Sequence, residues 1–271
     1  EDDVHAAAKA FTGWNLNRQA GQFQFNASQH DTSTKTFRGQ TGNLNGEDII
    51  ANVVADPATA KRIAGKLFAF FAYDNADPSV IQPLTDLYLK SNFEIKPVVQ
   101  AILTSDAFYS DQSFTGHVKS PVEYVVGTVR SLGGQVRERT LAPVLKQLGQ
   151  ELFNPPNVAG WPGGTTWLDA ASMLTRFNFG GLLAAGVKGA PAPQGGGYID
   201  PESFVSKLPA KSWDAVIDLF GASLTGGLTD QTRSILNSYL GGITDMKPAT
   251  LDTKLRGLIH LMMVSPEYQV A

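Results

Sequence analysis

Apolar and polar positions recur with two different periods along this chain. Over residues 3–13, Val4, Ala7, Ala8 and Phe11 return at helical spacing behind the acidic opening Glu1-Asp2-Asp3, and Gly13 ends the run. That spacing predicts a short amphipathic helix with its acids at the positive end of the helix dipole. From Gln22 to Asn26 the period falls to two (QFQFN), and TKTF at Thr34–Phe37 supplies a second run across the loop of residues 27–33. The two runs are expected to pair as one small hairpin. Helical spacing then returns behind a regular series of start signals: Asn45 ahead of an apolar run to Val54, Asp56-Pro57 to about Phe71, and Asp77-Pro78 to about Lys90. Residues 95–108, Ser120-Pro121-Val122-Glu123 leading to Arg130, residues 140–153, and Thr166–Asp169 opening a helix to about Ala185 follow. An N-cap side chain accepts an orphan N–H and a first-turn proline has none to lose, so these pairs are physical start signals. Starts at Asp200-Pro201, Ser212-Trp213 and Thr229-Asp230 and a run over residues 249–264 give about four more helices. The fold class is therefore mostly α, an irregular multi-helix bundle with one small β-hairpin near the amino terminus.

Two stretches break the periodicity. GQELFNPPNVAGWPGGTTW, residues 149–167, cannot be helical through Pro155-Pro156, and Gly163-Gly164 invites a turn. It carries Phe153, Val158, Trp161 and Trp167, each able to contribute about 1.5–3 kcal/mol on burial, so it is expected to be a rigid apolar corner gripped by the flanking helices. GVKGAPAPQGGG, from Gly186 to Gly197, has neither period nor bulk and reads as an exposed linker. The expected division is residues 1–185 as a helical core with the hairpin at about 22–37 and the corner at 149–167, residues 186–199 as a flexible linker, and residues 200–271 as a small helical appendage. One weak internal echo joins AILTSDAFYS at residues 101–110 to HLMMVSPEYQ at residues 260–269: a helix ending in Ser-x-x-aromatic.

Composition narrows the partners. The chain has 271 residues, 42% of them hydrophobic, which is ample for a real core. Net charge is −3 with Lys and Arg scattered singly, so nucleic acid is not an expected partner. No run of eighteen apolar residues is present, so no membrane span is expected. Cysteine is absent, which removes disulfides and thiolate chemistry, and the low charged fraction of 17% leans towards an exported protein, periplasmic or extracellular. The opening reads as the first turn of a helix with no signal peptide, so the chain is expected to begin within a longer gene product.

The densest polar cluster is His30-Asp31 with Lys35 on the hairpin loop, where a histidine can serve as base or divalent-metal ligand beside a carboxylate. The competing reading has Asp31 forming an Asx turn and His30 packing on a neighbour. No His-x-x-x-His or Glu-x-x-His spacing exists to make a self-contained metal site. Ser120 and Glu123 form a capping box; Glu123 and Arg130 lie seven apart on one helix face, so a polar pair is the alternative use. Trp14, Trp161 and Trp167, with Asn157 in the corner, are candidate binding residues for sugar rings or peptide side chains.

These segments resemble a bacterial family filed as domain of unknown function 1800. The resemblance is carried by FTGW at Phe11–Trp14, HDTSTKTFRG at His30–Gly39, DPATAKRIAGKL at Asp56–Leu67, KSPVEYVVGTVRSLG at Lys119–Gly133 and, above all, the stretch at residues 149–167. They fall in the family's order over about residues 1–185, and the remainder looks like a variable end. The resemblance implies a largely helical, exported protein, often encoded beside a second exported protein, with no agreed reaction. It also implies an amino-terminal half, bearing a Trp-His-x-His-Phe element, that this chain lacks. The expected function is an assembly or binding role with that missing half or another protein chain. The alternatives are a metal-assisted hydrolase or oxidoreductase on extracellular polymer or peptide, with His30, Asp31 and Lys35 completing a site from both halves, and a glycan-binding module built on Trp161 and Trp167.

Overall fold

The computed structural model describes residues 1–186, 197–206, 208 and 211–271. The chain forms two compact units, Glu1–Ser110 and Asp111–Ala271. Both are mostly α, and the strands make only two-stranded antiparallel sheets.

In the first unit, helix α1 (Asp2–Ala10) buries Ala6 and Ala10 and leaves Val4 70% exposed, so the buried stripe is one step round from the one its sequence suggested. Two hairpins follow where one was expected. Strand β1 (Trp14–Asn17) pairs with β2 (Gln22–Phe25), and β3 (Lys35–Phe37) pairs with β4 (Gln40–Gly42). The QFQF and TKTF runs thus each take a near neighbour and not one another, because both have a turn ready beside them. Asn17 accepts hydrogen bonds from Gln19 N and Ala20 N, each 3.1 Å, and Gly21 closes that turn at φ 64°. Arg38 and Gly39, at φ 48° and 82°, make a two-residue turn of the twist that suits a tight hairpin. Closing these short loops costs less chain entropy than the longer pairing.

Helices α2 (Gly46–Val54), α3 (Pro57–Phe71) and α4 (Pro78–Lys90) start where Asn45, Asp56 and Asp77 accept first-turn N–H groups. Helix α5 (Ile95–Leu103) is shorter than the run to residue 108 implied, since Ser105 Oγ turns back to Ile102 O and receives Phe108 N. Phe68, Ile81, Tyr88, Val98 and Ile102 centre the core of α3–α5, and Ala6, Ala10, Phe37, Leu44 and Ile49 form a smaller one beneath α1.

The second unit holds α6 (Asp111–Phe114), α7 (Pro121–Ser131), α8 (Glu138–Gln147), α9 (Ala170–Ala185), α10 (Pro201–Val205), α11 (Trp213–Phe220), α12 (Asp230–Leu240) and α13 (Pro248–Met263). Strand β5 (Gln135–Val136) pairs with β6 (Gly197–Tyr198). Helix α13 packs on α9, α10, α11 and α12, and its Leu255, Leu258, Ile259, Met262 and Met263 are fully buried. They share one core with Tyr124, Val125, Phe179 and Leu183, so residues 200–271 complete the packing of residues 121–185 and do not stand apart as an appendage. The compact units meet in sequence at residues 110 and 111, not at the glycine-rich stretch, whose residues 187–196 lie outside the described residues.

The expected corner is also different. Helix α8 ends at Gln147, Leu148 is buried, and Gly149 at φ 86° leaves the helical path. From there Leu152, Phe153 and Val158 face solvent, Phe153 at 99% and Val158 at 109% exposure. Residues 152–159 are therefore a solvated loop held by local bonds such as Asn154 N to Glu151 O and Gly160 N to Asn157 O, while Gln150 Oε1 accepts from Val122 N at 3.0 Å on one side and Gly164–Leu168 forms a short 3-10 helix against α9 on the other. The hub of this unit is α13, whose continuous apolar stripe offers more burial than a proline-interrupted segment can. Among the described residues no helix is long and apolar enough to cross a membrane.

Candidate functional site

The loop between β2 and β3 brings His30, Asp31 and Lys35 together and engages His30 Nδ1, Asp31 Oδ1 and the Lys35 ammonium in its own fold. Asp31 Oδ1 accepts from Ser33 N at 2.8 Å and Ser33 Oγ at 2.5 Å, an Asx turn in which the Ser33 hydroxyl, then its backbone N–H, lowers the carboxyl's pKa. Lys35, 3% exposed, donates its ammonium to Asp31 O at 2.5 Å, Ser33 O at 3.0 Å and Asn43 Oδ1 at 3.4 Å, with Asp31 Oδ1 at 3.9 Å. His30 Nδ1 lies 2.9 Å from Thr12 O, and a carbonyl only accepts, so that nitrogen carries the proton. The ring meets Phe25 edge-on. A buried ammonium satisfied by carbonyls acts as a clasp for this loop. No three His, Cys, Asp or Glu side chains gather at metal-binding range among the described residues.

The other sequence candidates are dispersed. Trp14 is wedged edge-on against Phe11 and Phe23, each at 5.1 Å between ring centres. Asn157 accepts from Ala159 N at 2.8 Å in a turn of the exposed loop, Trp161 borders a shallow polar depression with Lys146, Glu151 and Asn154, and Trp167 is half-buried beside Gly163. Ser120 and Glu123 exchange the two hydrogen bonds of a capping box at 3.2 and 2.7 Å. Arg130 is exposed and makes no ion pair with Glu123, which is already engaged at the N-terminus of α7.

Two features were not singled out in the sequence. The first is the apolar side of the β1–β2 hairpin. Opposed residues share a face, so Trp14↔Phe25 and Leu16↔Phe23 put all four apolar side chains on one side and Asn15, Asn17, Gln22 and Gln24 on the other. Leu16, Phe23 and Phe25 are 64, 62 and 47% exposed, an apolar patch of the kind that marks interaction surfaces.

The second is Arg176, the largest fully buried side chain, at 1% exposure. It lies on the buried stripe Ser172, Arg176, Phe179, Leu183 of α9, a helical spacing that exposes it to discovery once α9's core face is counted out. Its Nη1 donates to Gln269 Oε1 at 3.1 Å, its Nη2 to Lys119 O at 2.7 Å, and the guanidinium sits 4.6 Å from the Tyr124 ring centre. Its Nε–H is buried and unpaired, and no ion pair reaches Arg176 among the described residues. Burial lowers the guanidinium's pKa, with Tyr124 acting the other way. Burial, then the Arg176 charge, brings the neighbouring Lys119 ammonium down to about 8 against the pull of Glu123. Lys119 Nζ donates to Tyr268 O at 3.0 Å, and Tyr268 Oη lies 2.7 Å from Thr128 Oγ1. A fully buried Arg176 and a half-buried Lys119 thus lie near one another, with no buried carboxylate beside them among the described residues.

This is a mostly helical protein whose polar groups serve the fold in the first unit and gather around an unbalanced arginine in the second. It belongs to the family described as "Protein of unknown function (DUF1800)", whose model matches residues 1–270. The match continues well past residue 185, so the carboxy-terminal helices are part of the family's own domain. No curated protein and no solved structure matches the chain.

Proposed function

We propose that this chain acts by assembly: the apolar face of β1–β2 docks a segment of another polypeptide in an exported complex. The face Trp14, Leu16, Phe23, Phe25 carries the reading, because an isolated two-stranded ribbon with an apolar side in water is marginal and gains from a third strand. Both edges of that sheet lack a strand neighbour among the described residues, so an added strand would gain main-chain hydrogen bonds as well as apolar cover. Export is supported by the 17% charged composition. The test combines light scattering across a concentration series with binding of an apolar fluorescent dye, for the wild type and Leu16→Ser/Phe23→Ser. A monomer of constant mass whose dye binding falls in the double variant, at unchanged Tm, is the expected result. Dye binding that the substitutions leave untouched would remove the surface, and a concentration-dependent dimer lost in the variant would replace the foreign partner by a second copy.

A further inference from the structure

We propose that the pocket between α9 and the chain after α13 binds a small amphipathic carboxylate, an apolar group ending in one negative charge, with the head on Arg176. Met173, Leu174, Phe177 and Val264 line this pocket along with Arg176 and Gln269, and its volume is about 360 Å³. That is the low end of small-molecule sites, which run about 300–1,000 Å³, and it suits a short chain or a pair of apolar residues more than a polymer. Four of the six lining side chains are apolar, so the tail's environment is set.

The head's environment is set by charge. Gln269 is satisfied: its Oε1 accepts from Arg176, and its Nε2 donates to Met263 O at 2.9 Å and Ser265 O at 3.1 Å. Among the lining residues, one buried side-chain polar atom is left with nothing to bond, Arg176 Nε. A buried cation costs several kcal/mol unless it is paired, and here its two protein acceptors are neutral, the phenol of Tyr124 against it is kept protonated by burial, and the neighbouring Lys119 is itself cationic. A carboxylate offers what the site lacks, an anionic acceptor whose geometry matches the guanidinium edge. A neutral ligand of the same shape would fill the apolar wall and leave the charge as it is. Burial, and after it the Arg176 charge, lowers the Lys119 proton affinity, and an anion beside Arg176 would offset the second of these.

The experiment uses the full chain and four probes kept below any micelle-forming concentration: decanoate, decanol, acetate, and the free acid of acetyl-leucyl-leucine. Saturable binding is read by calorimetry and by the rise in Tm. One of the two apolar acids is expected to bind at least about tenfold more tightly than decanol, the difference a charge-assisted hydrogen bond makes, and acetate more weakly still. Whichever acid binds more tightly identifies the source, lipid-like or peptide-like. Arg176→Gln should bring the acid and decanol to equal affinity. Because that variant disturbs a buried bond network, Leu174→Trp serves as the second: Leu174 is 61% exposed at the rim, so the variant should keep the wild-type Tm and lose binding of both. With ¹⁵N-labelled lysine, the Lys119 titration should also move upward from about 8 in the bound state. Equal affinity of wild type for decanoate, the peptide acid and decanol, absence of saturable binding by either acid, or undiminished binding in Leu174→Trp would overturn the proposal and leave Arg176 as a structural tie between α9, Lys119 and Gln269.

Discussion

Glu267, in the turn after α13, accepts from Thr229 N at 3.2 Å, Thr229 Oγ1 at 2.6 Å and Thr232 Oγ1 at 2.8 Å, tying the chain end to the first turn of α12. Burial pushes its carboxyl pKa up, but the hydrogen bonds from Thr229 and Thr232 outweigh it and bring it down to about 2. A carboxyl whose folded pKa lies below its unfolded value of 4.5 stabilises the protein above that value, and the contribution is lost as pH falls through about 2. Glu267→Gln should therefore cost about 1 kcal/mol at pH 7, the group being partly exposed, and the cost should fade below pH 4.5; urea unfolding of both proteins along a pH series measures it. Lys119 carries the opposite sign. Its pKa falls from 10.5 unfolded to about 8 folded, so the unfolded chain holds the extra proton between those values and the wild type gains stability as pH rises through that window. The stability difference between wild type and Lys119→Met should shift in the wild type's favour from pH 8 to 10.5. A flat difference would mean that the ammonium is solvated.

Helix boundaries follow from short-range chemistry. Asn45, Asp56, Asp77, Ser120, Asp169, Ser212 and Thr229 each accept an N–H two or three residues on, so both partners lie in one short window of sequence. Asp200 opens α10 without such a bond. Ser120→Ala removes the acceptor for Glu123 N and should lower stability by about 1 kcal/mol, read by thermal unfolding. The echo between residues 101–110 and 260–269 also has a local basis. Ser105 N and Ser265 N return to Ile102 O and Met262 O, both at 3.1 Å, and Phe108 N and Tyr268 N close on their serines, so the same four-residue stop ends α5 and α13. Strand pairing is less local, since the QFQF and TKTF runs each had more than one alternating partner within reach. The turns at Gly21 and at Arg38-Gly39 decided between them. Gly46, at the start of α2, has no room for a side chain: a Cβ there would stand 2.6 Å from Trp14 Cζ2 and 2.7 Å from Phe11 Cδ1. Gly46→Ala should cost about 1–3 kcal/mol and disturb the Trp14 environment, visible as a fluorescence shift.

At the level of the whole chain, the carboxy-terminal helices are indispensable to the second unit. Without them Phe179, Leu183, Tyr124 and Val125 lose the buried face of α13, whose apolar side chains are each worth about 1.5–3 kcal/mol on burial. Residues 111–271 made alone should unfold cooperatively, whereas residues 111–185 should show no cooperative transition in calorimetry or circular dichroism. The sequence by itself determined the mostly helical class and seven of the caps and offered the Asx turn at Asp31 as one of two readings, because each depends on residues a few positions apart. Only the tertiary structure decided which apolar residues are buried, and hence that Phe153 and Val158 face water while α13 is the hub. It alone decided that Arg176 stands without a counter-ion. Burial is a competition among all elements for a limited interior, and a charge is unbalanced only with respect to everything folded around it.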